Sequence, residues 1–150
     1  MAPNRSGAII PAHLTLSPRV RLIGISTVCS ARGVDAETVG QMVDDATHPR
    51  HIRFAFDTGI GSSRRELRFY VDEILDPALT RGFTIQDAIA RILGGRGFFR
   101  RSEIEIAWTT SAVHISRLIK INLLKCEQAR LLRSSLEAFL LTRWSGNNPT

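Results

Sequence analysis

The stretch TTSAVHISRLIKINLLK, Thr109 to Lys125, decides how this chain is read. Ile115, Leu118 and Ile119 stand at i, i+3 and i+4, the spacing that gathers side chains on one side of an α-helix. His114, Arg117 and Lys120 fall on the other side. That pattern suits an ordinary surface helix, and it equally suits a helix lying in a DNA groove, which needs an apolar side for support and a donor-rich side for base edges and phosphates. Thr109 to Ser111 form the break before it, where free amides and hydroxyls suit phosphate oxygens. The helix is expected from Ala112 to Ile121, with Asn122 taking the left-handed turn at its end.

Outward from this stretch the pattern is regular. Ser102 is expected to cap a helix over EIEIAW, and SSLEAFLLTRW reads as a closing helix. The first half gives a similar series. A helix is expected over Arg21 to Ala31, then a break at Gly33, a cap at Asp35 and a second helix over Ala36 to Ala46 with Val39, Met42 and Val43 on one face. IRFAF alternates like a strand, with Ile52, Phe54 and Phe56 inward and Arg53 outward. DTGIGSS then turns the chain into RRELRFYVDEIL, whose Leu67, Tyr70, Val71, Ile74 and Leu75 have helical spacing.

The two halves register: Thr38-Val39 onto His114-Ile115, Met42-Val43 onto Leu118-Ile119, and Arg64 with Leu67 onto Arg133 with Leu136. This alignment predicts a first hairpin seven residues longer than the second. The expected fold is mainly α with short β-hairpins (α+β). Its parts are an N-terminal arm (1–19, with Pro3, Pro11 and Pro18), a first unit (20–75), a helical connector (76–99) whose helix runs from Thr84 to Leu93, a second unit (100–144) and a flexible tail (145–150).

Charge separates the halves. Of 20 basic residues 18 are arginines, and the net charge is +6. Residues 1–75 hold nine basic residues against eight acids, while residues 76–150 hold eleven against six. The second half is therefore the part expected to meet a polyanion. No run approaches the ~18 apolar residues of a membrane helix, and no signal peptide is visible, which predicts a cytoplasmic protein without membrane contact. Cys29 and Cys126 fit no metal spacing and read as small core residues; His48 and His51 have no second ligand pair. GIGSSR lacks the Gly-Lys-Ser/Thr ending of a phosphate loop and reads as a hairpin turn. No serine, histidine and carboxylate form a motif for nucleophilic catalysis, so neither an enzyme nor a cofactor or metal is expected. Phe98, Phe99, Trp108, Phe139 and Trp144 read as core rather than as base-stacking platforms.

EIAWTTSAVHISRLIKINLLK followed by LLRSSLEAFLLTRW resembles the winged helix-turn-helix of the excisionase and MerR type, well over residues 102–143 and in outline over 25–75. Asn122 and Trp108 depart from that pattern, standing where a glycine and a small aliphatic are usual. The resemblance implies two tandem winged units, with Ala112 to Ile121 as recognition helix, Leu123 to Leu132 as wing and Ser134 to Arg143 as closing helix. It implies double-stranded DNA as partner, with Ser111, His114 and Arg117 reading bases beside Thr110. Lys120, Lys125, Arg133 and Ser134 would hold phosphates, joined by Arg100 and Arg101. In the first unit Asp35, Glu37, Asp44 and Asp45 make the corresponding helix acidic, which leaves its wing, Arg53, Arg64 and Arg65, for DNA. The implied roles are a recombination directionality factor working beside an integrase, or a transcription regulator working with RNA polymerase, with homodimer formation left open. A protein-interaction adaptor or anti-regulator that captures its partner through the first unit is the alternative.

Overall fold

The computed structural model describes residues 19–60 and 65–147, so the arm before Arg19, and Arg64, lie outside the described residues. The architecture is α+β, with seven α-helices and two three-stranded antiparallel sheets among the described residues. The first half runs β1 (Leu22–Gly24), α1 (Ile25–Arg32), α2 (Ala36–Asp44), β2 (Ala55–Asp57), β3 (Leu67–Tyr70) and α3 (Val71–Leu75). A 3-10 turn (Pro77–Thr80) and α4 (Ile85–Leu93) follow. The second half runs β4 (Phe98–Arg100), α5 (Arg101–Ala107), α6 (Ala112–Lys120), β5 (Cys126–Glu127), β6 (Arg130–Leu132) and α7 (Arg133–Arg143). Ser145–Asn147, expected as tail, form a second 3-10 turn.

Local chemistry places the helices. Gly33 ends α1 in the left-handed region at φ 68°, and the Asp35 carboxylate accepts from the Thr38 amide at 2.8 Å to start α2. Thr84 and Asp87 cap α4 reciprocally, each side chain accepting from the other residue's amide. Ser111 accepts from the His114 amide at 3.1 Å to start α6. Asn122, at φ 64°, takes the left-handed turn after it.

Three strands stand where helix or loop was expected. The helix expected over Arg21 to Ala31 starts only at Ile25, because Leu22–Gly24 pair with β3. LRFY, inside the segment with helical spacing, is β3 itself, and the helix begins at Val71. Phe98–Arg100 pair with β6, so α5 starts at Arg101 rather than behind a Ser102 cap, and the Glu103 carboxylate accepts from the Arg100 amide at 2.7 Å.

The two halves repeat one topology. Both sheets place the first strand beside the third and the second at the far edge, β1-β3-β2 and β4-β6-β5. An unbroken offset of 76 residues carries Leu22 to Phe98, Gly33 to Thr109, Asp35 to Ser111 and Val39 to Ile115. Beyond the hairpins the strand register matches Phe69 with Leu131, through their partners Ile23 and Phe99. Val71 and Ile74 therefore stand where Arg133 and Leu136 stand, which corrects the alignment of Arg64 and Leu67 onto those two. The first hairpin loop (58–66) has nine residues against two (128–129), so the first hairpin is the longer, but the expected figure of seven rested on the alignment of Leu67 with Leu136: with Ile74 in that place the first half is longer by 14 residues between the matched helices.

Alternation in the first sheet divides its side chains between two cores. Ile23, Phe69 and Ala55 join Val28, Val39, Met42 and Val43 under α1 and α2. Leu22, Tyr70, Phe54 and Phe56 point the other way, into a core built with α4, α6, α7 and Trp108 of the second half. Both faces of this sheet are covered, and its strands accordingly read as nearly continuous apolar runs. The connector helix is part of that second core, burying Ile85, Ala88, Ile89, Ile92 and Leu93. Polar contacts close the same seam. Arg68 donates to the carbonyls of Trp108 and Thr109, at 3.2 and 3.0 Å, and the Thr109 hydroxyl donates to the Leu22 carbonyl at 2.6 Å. The Trp144 indole N–H donates to the Arg53 carbonyl at 2.7 Å.

Glu73, 4% exposed, accepts from the amides of Arg53 and Phe54 at 2.8 and 2.9 Å and so fixes the entry to β2. Burial pushes its carboxyl above the ordinary value of 4.5, against the opposing pull of those two amides. A carboxyl with a raised folded value opposes folding once ionised. The penalty is absent below the ordinary value and grows as the pH rises through it toward the folded value. Glu73→Gln, which cannot ionise, should therefore gain stability relative to the wild type as the pH rises from about 4 to about 7. Urea denaturation across that range checks this, and a constant difference between the two proteins refutes it.

Candidate nucleic-acid interface

Helix α6 has two sides of different chemistry. Ile115 and Leu118 are fully buried, and Ile119 packs against the same core. Val113, Ser116, Arg117 and Lys120 are exposed at i, i+3, i+4 and i+7, one continuous outward strip. Val113 is 62% exposed, an apolar residue left bare at its N-terminal end. Arg101, half-buried on α5, donates to the Ser116 hydroxyl and ties the start of α5 to the strip. Lys125 is exposed just beyond the helix, and its amide donates to the Ser135 hydroxyl at 2.7 Å.

The candidate residues do not all share this surface. His114 is half-buried, and its Nε2 donates to the Thr58 carbonyl at 2.6 Å, at the root of the first hairpin. It joins the two halves instead of facing outward. Arg133 is half-buried and donates to the carbonyls of Gly94 and Arg96, the latter at 3.0 Å, and to Glu137 at 3.1 Å. It closes the end of α4. Thr110 is half-buried, with its amide on the Glu105 carbonyl at 3.0 Å. Ser111 is exposed but occupied as the cap of α6; Ser134 and Arg100 are exposed.

In the first half the expected wing contacts are largely engaged within the molecule. Arg53 donates to the Phe83 carbonyl at 2.5 Å and lies over the Phe54 ring at 4.6 Å. Arg65 makes a two-pronged bond to the Asp44 carboxylate, at 2.8 and 3.1 Å, which raises its already high pKa. The outward strip of α2 carries Glu37, Gln41 and Asp44 where α6 carries Val113, Arg117 and Lys120. Equivalent surfaces of one repeat thus have opposite sign.

Three residues of the surface were missed by sequence reasoning: Val113, Ser116 and Arg130. The first two follow from the helical spacing already used for Arg117. Arg130 was legible only if ARLL is read as a strand, with Leu131 inward and Arg130 outward. Among the aromatics expected in the core, Phe99, Trp108 and Phe139 are buried and Trp144 is half-buried, but Phe98 is 53% exposed. No group of three or more His, Cys, Asp or Glu able to hold a metal occurs among the described residues. Cys29 and Cys126 are free and half-buried, each packed against one core. No helix among the described residues is long and apolar enough to cross a membrane.

Comparison with protein-family models, with curated proteins and with solved structures found no match for this chain.

Proposed function

We propose that this chain is a non-enzymatic, sequence-specific double-stranded DNA-binding protein built from tandem winged helix-turn-helix units, with α6 of the second unit as the helix that enters the major groove. The observation that carries this reading is the outward strip of α6: Ser116, Arg117 and Lys120 exposed on a helix whose opposite side is anchored by Ile115 and Leu118. A base-reading helix needs this division between support and contact. The order helix, strand, two helices, hairpin from α4 to β6 supports the winged form, and in this reading α4, expected as part of the connector, is the first helix of the second unit. Arg117 and Ser116 face bases in this reading, while Lys120, Lys125 and Arg130 hold phosphates. His114 positions the helix against the first unit and does not read bases.

The first unit plays a different part. Its outward helix strip is acidic and repelled by phosphate, and Arg53 and Arg65 already have partners. It braces the second unit and presents Glu37 and Gln41 to a protein partner, the feature that favours an adaptor role as the second reading. Either a directionality factor beside an integrase or a transcription regulator uses the same DNA surface.

The test begins with selection of preferred sites from a random duplex library. Arg117→Ala should then lose ~1–3 kcal/mol of discrimination between preferred and other sites. Lys125→Ala should weaken all sequences alike and reduce the salt slope by about 0.9. Wild-type behaviour by both variants defeats the assignment.

A further inference from the structure

Among the described residues no element covers the outer face of the second sheet, unlike that of the first. Strand alternation puts Phe98 and Arg100 of β4 on that face, with Phe99 turned into the core. The register sets Leu132 beside Phe98, and sets Arg130 and then Glu127 beside Arg100. Lys125 reaches the same face next to Leu132, whose amide bonds the Lys125 carbonyl at 3.3 Å. In the first sheet the residue equivalent to Phe98 is Leu22, 0% exposed because the second half covers it. Phe98 is 53% exposed.

We propose that this face is a single-stranded nucleic-acid site, in which Phe98 stacks an unpaired base and Arg100, Arg130 and Lys125 hold the neighbouring phosphates. The ligand class follows from the chemistry. A bare ring beside three cations and one anion matches a chain that alternates aromatic faces with negative charges. A second copy of the chain would bring the same cationic excess against itself. A duplex keeps its base faces stacked inside and offers nothing to the Phe98 ring.

The surroundings extend the path. Arg100 also lines a groove of about 710 Å³ whose walls carry Arg19, Arg21 and Arg96, with Glu103 its single acid. Phe99 and Ile106 are among its apolar lining. Arg96 is held there by Glu103. β4 is an edge strand, so a nucleotide strand can approach Phe98 from the side. Same-face residues on a strand lie ~6.6 Å apart, a separation that one nucleotide of extended backbone spans between Phe98 and Arg100. The site goes beyond the duplex reading: it shares Lys125 and Arg130 with the proposed duplex contacts, adds Phe98 and Arg100, and leaves out Arg117 and Lys120 of the outward strip of α6.

Fluorescence anisotropy with a labelled oligothymidylate tests it, an abasic phosphodiester of equal length serving as the probe for charge alone. The wild type should bind the oligothymidylate roughly tenfold or more tightly than the abasic strand. Phe98→Ala should remove that preference, and Phe98→Tyr should keep it. Arg100→Ala and Arg130→Ala should each lower the salt slope by about 0.7. Arg117→Ala should leave oligothymidylate binding unchanged while altering duplex selectivity, which separates this site from the proposed function. The proposal is overturned if Phe98→Ala binds like the wild type, or if the abasic strand binds as well as the oligothymidylate. It also fails if Phe98→Ala changes only the oligomeric state, because the face would then be a contact between copies. Phe98 is half in solvent, so its replacement should leave the fold intact, and circular dichroism of each variant checks that directly.

Discussion

Phe56→Ala should cost ~3–5 kcal/mol and shift the unfolding midpoint of both halves together. Phe56 belongs to the first half by sequence and to the second by packing. It lies in β2, is 0% exposed, and its ring sits in the core shared with α7 and Trp108. The chain at Phe56 also bridges to Trp144. Removing the ring opens a cavity that the surrounding sheet and helices fill only in part. Against a total stability on the order of 5–15 kcal/mol, that loss lowers the midpoint by roughly 10–20 °C. Both tryptophans, Trp108 and Trp144, lie in the second half. If the halves unfolded independently, tryptophan fluorescence would keep its wild-type midpoint while circular dichroism showed an early partial loss. Coincident transitions at a lower temperature are the expected result.

The charge reversal Arg117→Glu with Lys120→Glu should reduce duplex affinity at least a hundredfold at about 0.1 M salt. The phosphate contact of Lys120 contributes ~0.9 logarithmic units there through counterion release and the base contact of Arg117 about 1–3 kcal/mol, so the two losses together approach two decades and the new repulsion adds to them. The loss should shrink as salt rises, because screening weakens attraction and repulsion alike. The outward position of both side chains makes folding insensitive to the exchange, and thermal stability should stay close to that of the wild type. A double variant that binds duplex like the wild type would remove α6 from the interface.

How far the fold could be read depended on how local its causes are. The helices α2, α4 and α6 were legible because Asp35, Thr84 and Ser111 act within one turn of the residues they cap. The strands β1, β3 and β4 were not. Each has three or four residues, too few to display a period of two, and each runs directly into a helix, at Gly24-Ile25, Tyr70-Val71 and Arg100-Arg101, the last two without a breaker. Burial on both faces also erased the alternation in β1 and β3. The candidate surface divides the same way. Arg117 and Lys120 lie outward because the spacing of their own helix puts them there. The partners of His114, Arg133, Arg53 and Arg65 were not legible, because each is held by a carbonyl or carboxylate distant in sequence. A polar side of a helix can be inferred from spacing; the group that meets it cannot.

The sheet that lies between the two cores bears on how the molecule moves. A swivel between the halves would drag Phe56 and Tyr70 toward water and break the grip of Arg68 on the α5–α6 turn, so no soft hinge exists at that seam. Whatever lies against this protein has to do the bending: a stiff duplex pays in curvature, while a limp unpaired strand conforms at little elastic cost.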